Sequence, residues 1–232
     1  MKGLPKLSPR LAAVASFVRP GSRLLDVGCD HANLTAFLVG SGHCMTAIAT
    51  DIRSGPCERA RETILKYRLS DRVRIIQTDG LHGIDLEQVS DVVIAGMGGE
   101  TLIGILQALP ANEKERIRLV LQPQTDLPFV RLFLFREGYR FSEHLVSERH
   151  RLYHVFCADY ASESISFTFA DIHVGNPCGT EEQKALYTKK LRAAVHKQVT
   201  GLSRSNSLDR QRINELKAIQ MLLTEYGNER PT

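Results

Sequence analysis

Four acidic residues fall at or just beyond the ends of successive apolar runs: Asp26, Asp30, Asp51 and Asp79. Carboxylates so placed accept hydrogen bonds from hydroxyl and amino groups and balance a cationic ligand. The first two lie in Leu24-Leu25-Asp26-Val27-Gly28-Cys29-Asp30-His31-Ala32, where an apolar run ends in an acid, turns at Gly28 and leads into a helix. A nucleotide-type cofactor is seated in this way at the carboxyl end of a parallel strand. In a D-x-G-x-G-x-G turn, the second and third glycines would stand where this chain has Asp30 and Ala32. A carboxylate there repels a pyrophosphate but suits a cationic sulfonium. The turn therefore points to S-adenosyl-L-methionine rather than to a dinucleotide. Asp51 suits the ribose hydroxyls, with Ile52 beside it in the same cofactor-binding set. Asp79 with Gly80 is placed for the adenine amino group, with Leu81 packing on the ring.

A second group of positions follows later strands. In Ile94-Ala95-Gly96-Met97-Gly98-Gly99-Glu100, three glycines among four residues allow close backbone approach to a ligand. Gly96, Met97 and Gly98 are assigned to the cofactor and Gly99 to the substrate. Leu121-Gln122-Pro123-Gln124 sets two amides at the same rim, with Gln122 and Pro123 facing substrate. Asp30 is the candidate catalytic carboxylate, and His31 orients it or touches the substrate. The five cysteines are scattered, none pair at metal-ligand spacing, and no metal is expected. Cys29 has no basic partner and is not a candidate nucleophile.

The elements that must hold these residues follow from periodicity. Ser8 caps a helix that carries Pro9 in its first turn. Strands are expected at Arg23–Val27, Cys44–Thr50, Val73–Gln77, Val89–Ala95 and Ile117–Leu121, with helices between all but the third and fourth. Tyr139–Ser147 and Leu152–Ala158 close the set as an antiparallel pair. This alternation predicts an α/β fold, a mostly parallel Rossmann-like sheet covered by helices on both faces. The closing hairpin is a feature of methyltransferases rather than of dinucleotide dehydrogenases.

The pattern changes after Pro177-Cys178-Gly179. Glu181–Val199 and Leu208–Tyr226 are helix-forming runs separated by a loop at Gly201–Ser207. Leu186, Ala193, Val195 and Val199 face Ile213, Leu216, Ile219, Leu222 and Leu223 across an antiparallel, coiled-coil-like helical hairpin. Two units are expected, a sheet domain over residues 1–174 and the hairpin over 175–232. The formal net charge of +4 lies in the second unit, which holds 10 Lys and Arg against 6 Asp and Glu. A basic appendage on a neutral body suggests a polyanionic partner, with Lys189, Lys190, Arg192 and Arg210 among its contacts. No apolar run approaches the ~20 residues that span a bilayer. The N-terminus lacks the apolar core of a secretory signal, so a cytoplasmic protein is expected.

The Asp-Val-Gly-x-Asp-His-Ala, Gly-Met-Gly-Gly and Leu-Gln-Pro segments occur in this order, followed by the hairpin. Together they resemble the bacterial tRNA (adenine(22)-N1)-methyltransferase family over nearly the whole chain. The resemblance implies a class I Rossmann-like methyltransferase with a coiled-coil appendage, S-adenosyl-L-methionine as cofactor and tRNA as substrate. The chain departs from that family at Asn33, where an aromatic residue is usual, and at Gln124, where Asn is usual. The alternative is a methyltransferase for another RNA, a small molecule or a protein, with the hairpin used for dimerisation.

Overall fold

The computed structural model describes residues 3–163, 165–203 and 210–228. Helix α1 (Pro9–Phe17) begins where the Ser8 hydroxyl accepts from Leu11 N at 3.4 Å, with Pro9 as its first residue. Six further elements follow: β1 (Ser22–Val27), α2 (Asn33–Gly40), β2 (Cys44–Asp51), α3 (Ser54–Lys66), β3 (Val73–Gln77) and, with no helix between, β4 (Asp91–Met97). Then come α4 (Gly99–Gln107), β5 (Arg118–Pro123), α5 (Leu127–Arg136), β6 (Tyr139–Glu148) and β7 (Arg151–Tyr160). The chain ends in the short helix α6 (Phe169–His173), then α7 (Glu181–Ser203) and α8 (Arg210–Asn228). Each expected strand and helix is present. Sequence periodicity did not indicate α6, a five-residue turn closed by a capping box between Thr168 and Asp171.

All seven strands form one sheet in the order β3-β2-β1-β4-β5-β7-β6. The first five are parallel, and β7 runs antiparallel between β5 and β6. Strands β1, β4 and β5 are buried on both faces, which is why they read as continuous apolar runs. One core layer sets Val14, Leu38 and Ile64 of the helices, with Val18 just after α1, against one sheet face. On the other, Leu102, Leu106, Val130 and Leu134 cover Leu25, Ile94, Leu119 and Leu121. Strand order reverses at β1, which lies between β2 and β4. The crevice at its carboxyl end is where such sheets bind ligands.

Helices α7 and α8 pack on each other through Leu191, Val195 and Val199 against Leu216, Ile219, Leu222 and Leu223, with Val174 at the base. Leu186 and Ala193 lie outside this seam and are exposed, contrary to the expected facing pattern. Helix α7 also runs through Gly201 to Ser203, where the sequence suggested a loop. The rest of that expected loop lies outside the described residues. Tyr187, four residues before Leu191 on the same line of α7, continues that face onto the sheet body. Its hydroxyl donates to Val174 O at 2.5 Å and accepts from Arg131 Nη2 at 3.1 Å.

Arg131 is the centre of a buried polar cluster. It forks onto Glu143 at 2.8 and 2.7 Å, and His154 Nδ1 meets the same carboxylate at 2.5 Å. Burial alone would raise the Glu143 carboxyl, but the hydrogen bond from His154 and the Arg131 charge hold it below the ordinary range. The cluster ties α5, β6, β7 and α7 together. Tyr187→Phe should therefore cost about 1.5–3 kcal/mol of stability, the worth of a buried hydrogen bond to a charged partner. Urea unfolding measures it, and an unchanged midpoint would show that the hydroxyl contributes nothing.

Candidate active site

The backbone after β1 is pinned from below. Gly28 N and Cys29 N both donate to Thr50 O on β2, at 2.8 and 2.9 Å. Gly28 has φ +72°, and a Cβ there would stand 2.1 Å from Met97 Cε. The left-handed backbone favours glycine here, and any side chain would also have to displace the Met97 methyl. Asp30 and Ala32 also take left-handed backbone, φ 49° and 51°. The loop thus keeps the course a glycine-rich turn would follow, although neither residue is glycine. Aspartate tolerates this region, whereas Ala32 is held there by complete burial.

Two adjoining cavities open over this crest. The larger, about 550 Å3, is bordered by Gly28, Asp30, Asp51, Ile52, Asp79 and Met97, together with Gly80, Gly96 and Gly98. The smaller, about 120 Å3, lies under Asp26, Cys29, Asp30, His31 and Asn33. Asp30 and Gly28 line both, so the Asp30 carboxylate stands where the two meet. It is more than half exposed, 3.5 Å from Arg59 Nη2 and 3.6 Å from His31 Nε2.

The other acids differ in environment. Asp26 is buried and accepts from Thr35 Oγ1 at 2.5 Å, and burial raises its carboxyl to about 6 against the lowering effect of that bond. Asp51 is buried apart from its edge, and its Oδ1 accepts from Arg53 N at 3.0 Å. Beside it Ile52 is 59 % exposed, a large apolar side chain presented to the cavity rather than to the core. Burial pushes the Cys29 thiol far up, so it offers no thiolate.

Several assigned residues occupy other places. Leu81 is packed in the core among Leu86, Leu102 and Leu106, so it does not border the cavity; Ile52 and Ile105 supply its apolar walls. Gly99 is buried, and a Cβ on it would stand 2.7 Å from Thr125 O and 2.8 Å from Asp126 Cβ, so it faces the loop before α5 instead of a substrate. Gln122 is fully buried: its Oε1 accepts from Arg10 Nη1 at 2.6 Å and its Nε2 donates to Pro123 O at 2.9 Å. It holds Arg10, and the rim amide is that of Gln124. Pro123 borders a separate cavity with Gln124. Lys189 and Lys190 are exposed on α7, but the Arg192 guanidinium donates to Leu223 O on α8 and joins the helices. Arg210 begins α8, and its side chain lies outside the described residues.

Arg10 is the residue that pattern reading missed. It lines both cavities and comes from α1, remote in sequence from every motif. Its backbone N donates to Glu148 Oε2 at 2.9 Å, and its guanidinium lies 5.6 Å from the Tyr153 ring. No local signal marks it, because Gln122, Glu148 and Tyr153 meet it only in the folded chain.

The cavity suits a nucleoside cofactor bearing a cationic centre. Acids stand after β1, β2 and β3, apolar Ile52 and Ile105 flank the space, and the buried Thr50 Oγ1 on its wall has no hydrogen-bond partner among the described residues. With its sheet order and closing antiparallel pair, the fold is that of a methyltransferase. Residues 7–156 match the family model described as a methyltransferase domain, and the chain belongs to that family.

The similarity narrows further. The chain is 30% identical over 189 residues to the tRNA (adenine(22)-N(1))-methyltransferase of Bacillus subtilis, covering 80% of this chain and 79% of that one. It belongs to the tRNA (adenine(22)-N(1))-methyltransferase family. The crystal structure of the B. subtilis m1A22 tRNA methyltransferase TrmK superposes with a TM-score of 0.82 at 28% identity, covering 95% of this chain and 98% of that one. Sp1610 of Streptococcus pneumoniae, solved in complex with S-adenosyl-L-methionine, gives 0.78 at 28% identity over 93% and 100% of the two chains.

Proposed function

We propose that this protein transfers a methyl group from S-adenosyl-L-methionine to N1 of adenosine 22 in tRNA. The observation that carries the proposal is the match to the B. subtilis enzyme over 95% of this chain and 98% of that structure. Residues 1–174 form the catalytic unit in this reading and residues 175–232 the hairpin that holds tRNA. The protein then works in the cytoplasm, where its substrate is; no helix among the described residues is long and apolar enough to cross a membrane.

When bound, S-adenosyl-L-methionine supplies an electrophilic methyl on a cationic sulfur. Asp51 accepts from the ribose hydroxyls and Asp79 from the adenine amino group, with Ile52 against the ring. The Arg10 guanidinium serves the methionine carboxylate, and Asp26 lies below for the ammonium. Adenine N1 carries its own lone pair, so no strong base is needed to create the nucleophile. Methylation leaves the ring cationic, with charge spread onto the exocyclic amine. The Asp30 carboxylate faces that charge as it forms and stabilises the transition state more than the neutral ground state. His31 stands beside it as an orienting partner. Exposed Lys189 and Lys190 contribute phosphate contacts that position the tRNA without reading its sequence.

Incubation with methyl-labelled cofactor and unmodified tRNA, followed by mapping of the modified nucleotide, tests the proposal directly. Label at a position other than 22, or none, would overturn it. Asp51→Ala should weaken cofactor binding by about 1–3 kcal/mol, the loss of an acceptor in a charge-assisted hydrogen bond. Titration calorimetry reads this, and an unaltered affinity would place the ribose elsewhere.

A further inference from the structure

A third cavity, of about 210 Å3, lies between the end of β5, the start of β7 and helix α7. Gln124, Leu127, Arg151, Tyr153, His154 and Lys190 border it. Gln124 also lines the large cavity, so the two share a wall. Tyr153 links them as well, since its ring lies by the Arg10 guanidinium. The space is below the ~300–1,000 Å3 of pockets that enclose a small-molecule ligand. It suits one sugar-phosphate unit and not a second cofactor.

The polar group in it is unusual. The His154 side chain is 9% exposed, and its Nδ1 lies 2.5 Å from the Glu143 carboxylate. Glu143 is itself clamped by Arg131, so the carboxylate is fixed and the imidazole with it. Nδ1 therefore carries the proton and donates to Glu143. In neutral histidine this tautomer leaves the Nε2 lone pair outward. Among the described residues Nε2 has no hydrogen-bond partner, and the ring borders the cavity. An acceptor held at a cavity wall, with no donor from the described residues, is open to one from a ligand. Arg151 and Lys190, both exposed, add two positive charges to the same cavity.

A hydroxyl donor beside a phosphate is the ribose-phosphate of RNA, and the 2′-hydroxyl is the group that DNA lacks. We propose that this cavity holds the ribose-phosphate of a nucleotide adjoining the target adenosine. Its 2′-hydroxyl donates to His154 Nε2, and its phosphate sits between Arg151 and Lys190. The buried Arg131–Glu143 pair is thereby a positioning device for His154. This inference rests on the tRNA reading above and adds a contact that selects RNA at the site.

The test uses tRNA transcripts carrying a single 2′-deoxy nucleotide on either side of adenosine 22, with methyl transfer and tRNA binding both measured. One of the two should lower kcat/KM about three- to tenfold, the worth of one hydrogen bond. His154→Ala, checked for retained cofactor binding, should make the deoxy and ribose transcripts equivalent. Should that variant fail to fold, Arg151→Ala with Lys190→Ala offers an exposed route. A neutral methylphosphonate at the same linkage should then slow the wild-type enzyme but not this variant. Indifference of the wild-type enzyme to both deoxy positions overturns the cavity assignment, as does an equal loss in His154→Ala. Failure to methylate the all-ribose transcript overturns the function itself, and this inference with it.

Discussion

Asp30→Asn is expected to lower kcat for tRNA methylation about 100-fold or more while leaving cofactor affinity within about threefold. Asparagine is the informative replacement because Asp30 sits at φ 49°, where Asn is as much at home as Asp. Alanine there would add backbone strain to the loss of charge. The amide keeps the size and the turn, and removes only the negative charge. Lost electrostatic stabilisation of a developing charge typically costs 10²–10³ in rate. Asp30 stands where the two cavities meet, more than half exposed, so its loss leaves no buried partner stranded. Arg59 and His31, its neighbours, remain solvated. Single-turnover methyl transfer together with cofactor titration separates the two effects. A rate within threefold of wild type would remove Asp30 from the chemistry.

Asp26→Asn should make the protein more stable at pH 8, by up to roughly 3 kcal/mol, and weaken its hold on the cofactor. Burial raises the Asp26 carboxyl to about 6 although Thr35 donates to it. In the unfolded chain it titrates near 3.8. Between those values the folded protein keeps a proton that the unfolded chain releases. The contribution of Asp26 to stability is therefore full below about pH 4, falls as pH rises through 6, and is lost above. Asparagine carries no charge and shows no such fall, so variant and wild type should differ most at pH 8 and little at pH 4. Urea unfolding at the two pH values reads the difference. Equal stability at pH 8 would mean that the buried charge carries no penalty. A charge kept at this cost lies where a cationic group of the cofactor is met, which explains the expected loss of binding.

The sequence alone determined most of the scaffold. Buried parallel strands must be apolar on both faces, so β1, β4 and β5 stand out as runs. A helix between parallel strands keeps its own period, so their alternation is visible as well. Acids at strand ends and the turn at Gly28 are local, and they pointed to Asp26, Asp30, Asp51 and Asp79, which line the two adjoining cavities. The basic excess in the hairpin is a matter of composition and was equally plain.

Tertiary structure decided which side chains face the space between these elements. Gln122 and Gln124 are two residues apart, hence on the same face by strand alternation. Yet β5 ends at Pro123, so the chain leaves the sheet between them and only Gln124 reaches the rim. Ile52 rather than Leu81 walls the cavity because the turn at Asp79–Leu81 folds Leu81 back onto α4. Arg10 enters from a distant helix through Gln122, and the Arg131–Glu143–His154–Tyr187 cluster joins segments up to 56 residues apart. A pattern along the chain reports neighbours within a few residues, through period and propensity. Contacts between remote side chains arise only once the sheet order and the packing of the helices on it are fixed.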